Sequence, residues 1–255
     1  MDNKITKILS KVPEVTLIFW IIKVMWTTVW ETSADFLNFN MGFWLTTTSI
    51  AMGILFLIAL FVQFRYKKYV PWIYWLNVIL ISIVWTLITD NLTDHFWIPL
   101  IVTTIVFSIA LIITFIVWYM KEKTLSIHSI FTRKREIFYW LAILFTFALG
   151  TASGDLVTEQ FRLGYFLWII LFWWLIAVIG FGYYRFKWNA VLSFWLVYIL
   201  TRPLGASLGD FLTQTKTVWG LWLSNSMVNI VFFLIIISGV AYLSFQQRKN
   251  LDKVV

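Results

Sequence analysis

Four sixteen-residue stretches decide the fold: WIIKVMWTTVWETSAD at Trp20 to Asp35, WLNVILISIVWTLITD at Trp75 to Asp90, WLAILFTFALGTASGD at Trp140 to Asp155, and WLVYILTRPLGASLGD at Trp195 to Asp210. In each, a tryptophan precedes an aspartate by 15 residues, and the copies begin 55, 65 and 55 residues apart. A spacing kept four times marks an internal repeat. The offset of 120 residues between the first and third copies marks a duplicated pair.

Each stretch is followed by a second apolar run, so the repeat unit is two helices. Hydrophobic segments run from Val12 to Trp30, Met41 to Phe64, Trp72 to Ile88, Phe96 to Met120, Ile137 to Gly154, Leu163 to Tyr184, Ala190 to Gly209 and Val218 to Phe245. Each is close to the about 20 residues that a bilayer span requires. The chain of 255 residues is 61% hydrophobic and 13% charged, far from the roughly 25% charged of soluble domains. The expected fold is therefore an all-α integral membrane protein of about eight transmembrane helices. Residues 1–120 form a first half, 121–135 a basic linker and 136–255 a second half.

The formal charge of +8 invites a nucleic-acid partner until the 20 Lys and Arg residues are set against the spans. Sixteen of them fall in alternate loops and the termini, as in Lys4, Lys7 and Lys11, Arg65 to Lys68, Lys121 to Arg135, Arg185 and Lys187, and Arg248 to Lys253. Cytoplasmic loops of membrane proteins carry this excess. The pattern predicts cytoplasmic termini, four repeats entering the membrane in the same direction, and a bilayer rather than nucleic acid as the basic surface's neighbour. The bacterial inner membrane is the expected location. The first segment contains Lys23, runs directly into Glu31 and lacks a small-residue cleavage site, so it reads as a retained span rather than a signal peptide. With no cysteine and two histidines, disulfide, thiolate and histidine-rich metal chemistry are set aside.

Positions four apart share one helix face. Read backward from each aspartate, the faces are Lys23, Thr27, Glu31, Asp35; Val78, Ser82, Thr86, Asp90; Ile143, Phe147, Thr151, Asp155; and Tyr198, Arg202, Ala206, Asp210. Such stripes belong inside a bundle. They hold five carboxylates against Lys23 and Arg202, and ionisable groups within spans are costly enough to point to function. An aspartate at a helix C-terminus opposes the helix dipole by about 0.3–1 kcal/mol, which calls for a cation, a basic side chain or a capped helix beside it. Arg202-Pro203 with Gly205 and Gly209 predicts a broken helix, and the GxxxG spacings Gly150–Gly154 and Gly205–Gly209 predict close helix packing.

The second helices of the repeats carry Thr46, Thr47, Thr48 and Ser49; Thr103, Thr104 and Ser108; and Ser224, Asn225, Ser226 and Asn229. Interhelical hydrogen bonding is their favoured role, with Asn225 and Asn229, one turn apart, the candidates for ligand contact. The sixth span, with Phe172, Trp173 and Trp174, is expected to face lipid or pack aromatics.

Lys11-Val-Pro-Glu-Val-Thr16, Glu31 to Asp35, Ile88-Thr-Asp-Asn-Leu-Thr-Asp94, Phe145 to Asp155 and Leu200 to Asp210 together resemble a family of bacterial multi-pass proteins, often called membrane-anchored, made of four tandem two-helix repeats of unknown function. The family usually has glycine where this chain has Trp30 and Trp85. The resemblance implies a membrane location and a repeat architecture but no activity. Carboxylates with hydroxyl and amide oxygens suit hard cations. The leading expectation is a small transporter or channel for magnesium, manganese, sodium or protons, with an ion site drawn from Glu31, Asp35, Thr86, Asp90, Thr151, Asp155, Asp210, Asn225 and Asn229, and Lys23 and Arg202 as counter-ions. No cofactor beyond a bound cation is expected. A membrane scaffold is the alternative. An intramembrane enzyme has less support, because no serine-histidine pair, HExxH motif or phosphate-binding loop is present.

Overall fold

The computed structural model describes residues 10–40, 45–161 and 164–252, the side chains of 33–40, 45, 94, 95, 159–161, 218 and 250–252 excepted. Among these residues there are eight long helices and no strand: α1 (Leu17–Asn40), α2 (Leu45–Arg65), α3 (Pro71–Asp90), α4 (Leu100–Glu122), α5 (Arg133–Phe161), α6 (Tyr165–Phe186), α7 (Ala190–Thr213) and α8 (Asn225–Asp252). Local signals set several ends. Pro71 opens α3 at a position where its missing N–H is no loss. The Asn189 side chain accepts from the amides of Val191 and Leu192 at 2.9 and 3.1 Å and caps α7.

Several boundaries differ from those read in the sequence. The first helix starts at Leu17 rather than Val12, because residues 10–13 form a buried non-helical strap. The last starts at Asn225 rather than Val218, after a short 3-10 turn at Lys216–Val218. The break expected at Arg202-Pro203 is absent: α7 is one helix from Ala190 to Thr213. Its neighbours splint it, since Cβ atoms built on Gly150 and Gly154 of α5 would lie 2.7 Å from Arg202 Cβ and 3.1 Å from Pro203 Cβ. The aspartates do not all end their helices either, for α1 and α5 run on beyond Asp35 and Asp155 to Asn40 and Phe161.

The odd helices form an inner ring in the order α1, α3, α5, α7, and α7 closes on α1. One aromatic motif builds that ring. Each repeat tryptophan follows another aromatic residue, and that residue packs on the tryptophan of the next repeat: Phe19 on Trp75 at 5.5 Å, Tyr74 on Trp140 at 5.4 Å, Tyr139 on Trp195 at 6.2 Å, and Phe194 back on Trp20 at 5.6 Å. Pairs of this kind contribute about 0.5–1.5 kcal/mol each beyond their buried area.

The even helices lie outside the ring, and each packs chiefly against the odd helix of the following repeat: α2 on α3, α4 on α5, α6 on α7, and α8 on α1. Among the described residues, seven helices, α2 to α8, are long and apolar enough to cross a membrane. Only 17% of the α2 span is buried inside the protein, against 67% of the α3 span. The outer surface is aliphatic, as in Ile54, Leu57 and Ile58 of α2 and Ile105, Ile109 and Ile112 of α4, whereas Lys23, Thr27, Thr201 and Arg202 are buried inside. On α6, Trp173 and Trp174 face outward and Phe172 packs on Trp168 at 5.9 Å.

Candidate functional site

The polar stripes of the odd helices line the axis of the ring, where sequence position and structural layer coincide. Glu31, Thr86 and Thr151 occupy the same place in the first three repeats, 11 residues after the repeat tryptophan. Arg202 of the fourth repeat reaches all three: NH1 donates to Glu31 Oε2 at 2.8 Å, NH2 to Thr86 Oγ1 at 2.7 Å, and Nε to Thr151 Oγ1 at 3.1 Å. One guanidinium thus joins all four repeats. It is 1% exposed, while the Glu31 side chain keeps 17% of its surface. The two threonines also donate to backbone carbonyls one turn back, at Ser82 and Phe147.

One layer further from the aspartates, Lys23 is 1% exposed. Its ammonium donates to Thr201 Oγ1 at 2.8 Å and lies 3.9 Å from the Tyr198 ring centroid and 4.6 Å from that of Phe147. Cation–π contacts partly replace water around a buried ammonium, and no described carboxylate lies within ion-pair distance of it. Thr201 also lines an apolar groove of about 730 Å³ between α1, α6 and α7. Beyond this layer comes the aromatic ring, where the Tyr74 and Tyr139 hydroxyls share a hydrogen bond of 2.6 Å.

Glycines bring the helices close enough for these contacts. A Cβ on Gly205 would meet Thr27 Cβ at 2.6 Å, and one on Gly209 would meet Glu31 Cβ at 3.2 Å, so α7 lies tight against α1. The places in the first two repeats that match Gly150 and Gly205 hold Trp30 and Trp85. Trp85 packs on Phe107 at 5.0 Å and Phe145 at 6.5 Å, which makes the ring asymmetric with its closest approaches at α7.

Of the other residues nominated from sequence, Asp90, Asp155 and Asp210 are half-buried, and each has an interaction partner. The Asp35 side chain lies outside the described residues. Among those described, no three acidic or histidine side chains converge as metal ligands do. Asn225 and Asn229 do not join the Arg202 node. Asn225 donates to the Thr32 carbonyl at 3.3 Å and Asn229 accepts from the Thr32 hydroxyl, so both bind α8 to α1. Thr46 and Ser49 likewise bond Asn91 at 3.1 and 2.9 Å.

A second buried polar group was not found from sequence. Lys11 Nζ donates to Glu136 Oε2 at 2.6 Å and Gln63 Nε2 to Glu136 Oε1 at 3.1 Å, at the other end of the ring from the aspartates. The strap holding Lys11 is tied by its backbone, Lys11 N to the Ile130 carbonyl at 3.0 Å and Tyr69 N to the Ser10 carbonyl at 2.9 Å. Burial and the nearby Tyr74 hydroxyl push the Tyr69 phenol well above its ordinary value, so it stays neutral beside the strap. The available signal was Glu136 itself, a lone acid next to Arg133, Lys134 and Arg135, four residues before Trp140.

No curated protein and no solved structure matches this chain. A family model described as a Repeat of Unknown Function (DUF347) matches four times, at residues 18–69, 73–124, 138–188 and 193–249. Each match takes in most of one odd helix, with its whole Trp to Asp stretch, and all or most of the even helix that follows it. With most of its length covered by four tandem copies of that repeat, the chain belongs to the DUF347 family.

Proposed function

We propose that this is a multi-pass protein of the cytoplasmic membrane that carries a small hard cation, protons included, by letting that cation take the place of Arg202 on Glu31. The four repeats then enter the bilayer in the same direction, with the basic loops and both termini in the cytoplasm and the aspartate level toward the outer face. The Arg202 node carries the reading. A guanidinium 1% exposed is held by one carboxylate and two hydroxyls, each from a different repeat. These are the oxygens that a hard cation prefers. Burying an ion pair is often no better for stability than apolar packing of the same volume, and charge inside a membrane bundle commonly marks an ion pathway. The half-buried Asp90, Asp155 and Asp210 supply the acidic approach to Glu31.

A scaffold is the second reading, favoured by one observation: Arg202 finds a partner on every other odd helix, as a fastener would. Against it, Asn225, Asn229, Thr46 and Ser49 are spent on contacts within the chain.

The test is uptake of protons, sodium, magnesium and manganese into proteoliposomes by three proteins: the unaltered chain, Glu31→Gln, and a variant with Asp35, Asp90, Asp155 and Asp210 all changed to Asn. Flux of one cation that is lost in folded Glu31→Gln and weakened in the fourfold variant is the expected result. Equal flux in all three proteins, or none in the unaltered chain, overturns the reading.

A further inference from the structure

At the end of the ring away from the aspartates, the strap of residues 10–13 covers the start of α5. Glu136 there is 0% exposed, and its only ionic partner among the described residues is Lys11. Gln63, 1% exposed, donates its amide to the carboxylate, yet its own Oε1 has no hydrogen-bond partner. Buried acceptors in folded proteins nearly always find a donor, water or ion. The orphan oxygen sits on the same amide whose nitrogen faces the buried carboxylate, so Lys11 leaves the polar needs of this pair incomplete. With a cation in place of Lys11 and the Gln63 amide turned over about its last torsion, one carboxylate and one amide oxygen would face it, a donor set that again suits a hard cation.

The arrangement repeats the chemistry of the Arg202 node: a carboxylate inside the bundle, neutral oxygens from other helices, and a cation tethered to the chain. Glu31 and Glu136 stand 15 residues apart in repeat register, 11 after and 4 before their tryptophans, which is about 22 Å along a helix. The aromatic ring and the Lys23 layer lie between them.

We propose that Glu136 and Gln63 form a second cation site, in which the Lys11 ammonium stands where a small monovalent cation binds once the strap lifts. The inference rests on the exchange reading above in treating a tethered cation as replaceable. Arg133, on the same turn as Glu136, is the competing internal cation; its guanidinium lies 5.7 Å from the Phe64 ring.

The test is thermal unfolding of the purified full chain in sodium or lithium chloride against N-methyl-D-glucamine chloride at constant ionic strength. The unaltered protein, in which a small cation must first displace Lys11, gains only slightly from sodium or lithium over N-methyl-D-glucamine. Lys11→Met gains roughly 3–5 °C in Tm from the small cation at ten times its dissociation constant. The gain disappears in Lys11→Met/Glu136→Gln and shrinks in Lys11→Met/Gln63→Leu. A Lys11→Met protein indifferent to the small cation, or a double variant that still responds, overturns the proposal and leaves the pair a strap fastener, with Arg133 neutralising Glu136.

If Lys11→Met does not fold, the strap itself is read. The chain has no cysteine, so Ser10→Cys gives a single thiol. Its maleimide labelling should be faster in sodium than in N-methyl-D-glucamine, and equally fast in both once Glu136→Gln is added. Labelling independent of the cation in Ser10→Cys alone also overturns the proposal. None of these readouts involves flux, so failure of the transport reading and failure of this one are separate results.

Discussion

Replacing Arg202 by Met tests whether the central node behaves as one unit. The change removes three hydrogen bonds, to Glu31, Thr86 and Thr151. Both threonines keep their backbone carbonyl partners, so most of the loss falls on Glu31, a carboxylate left in an apolar bundle without its cation. Breaking a buried ion pair from one side costs about 3–5 kcal/mol. The 17% of the Glu31 side chain that stays exposed places this case at the lower end, about 3 kcal/mol. Glu31→Gln alone removes the charge from one bond and leaves Arg202 unpaired, for about 2–3 kcal/mol. The double variant removes both charges together and should lie within about 1 kcal/mol of the unaltered protein, or above it, giving a coupling energy of about 4–6 kcal/mol. Reversible unfolding in mixed micelles with SDS as denaturant, followed by far-ultraviolet circular dichroism, measures all four proteins. Additive single variants, or an Arg202→Met protein as stable as the original, would refute the geometry of the node.

Three further outcomes follow from the packing. Lys23→Met should raise stability or leave it unchanged, since the ammonium has a single hydrogen-bond partner, while cation flux falls; the same unfolding assay run beside proteoliposome uptake checks both. Gly205→Ala should destabilise by about 1–3 kcal/mol because its Cβ meets Thr27 Cβ at 2.6 Å, whereas Gly53→Ala, with nothing within 4 Å, should be neutral or stabilising; a comparison of their melting temperatures decides. Tyr74→Phe or Tyr139→Phe should each cost about 1–3 kcal/mol by orphaning a buried hydroxyl, and the double Phe variant less than the two summed, as a double-mutant cycle would register.

The architecture was legible where period and chemistry coincide. The Trp to Asp spacing located every odd helix, and the i, i+4 stripes placed Lys23, Thr86, Thr151 and Arg202 among the buried residues. Pairing was harder to read. Nothing local in α2 says that it packs on α3 rather than α1, because both neighbours are apolar and the choice depends on side-chain shape. Pro203 suggests a break by local propensity, whereas continuity comes from α5, which Gly150 and Gly154 bring against that turn. Lys11 reads in the sequence as a topology-setting charge, and its ion pair with Glu136 spans 125 residues of sequence, a separation no periodicity reports.

The outer helices are shifted by one place around the ring, α2 clasping α3 and so on until α8 clasps α1. It follows that the sequence repeat and the structural neighbour pair are different objects. A two-helix polypeptide released alone would have its partner surface on another molecule, so the least assembly that satisfies every copy is a closed ring of four, the single chain being that ring with three of its four joints tied. During synthesis, α1 stands without its outer partner until the last helix is made. A permuted gene that moved α8 to the front would emerge as four consecutive hairpins, each complete as soon as it left the ribosome.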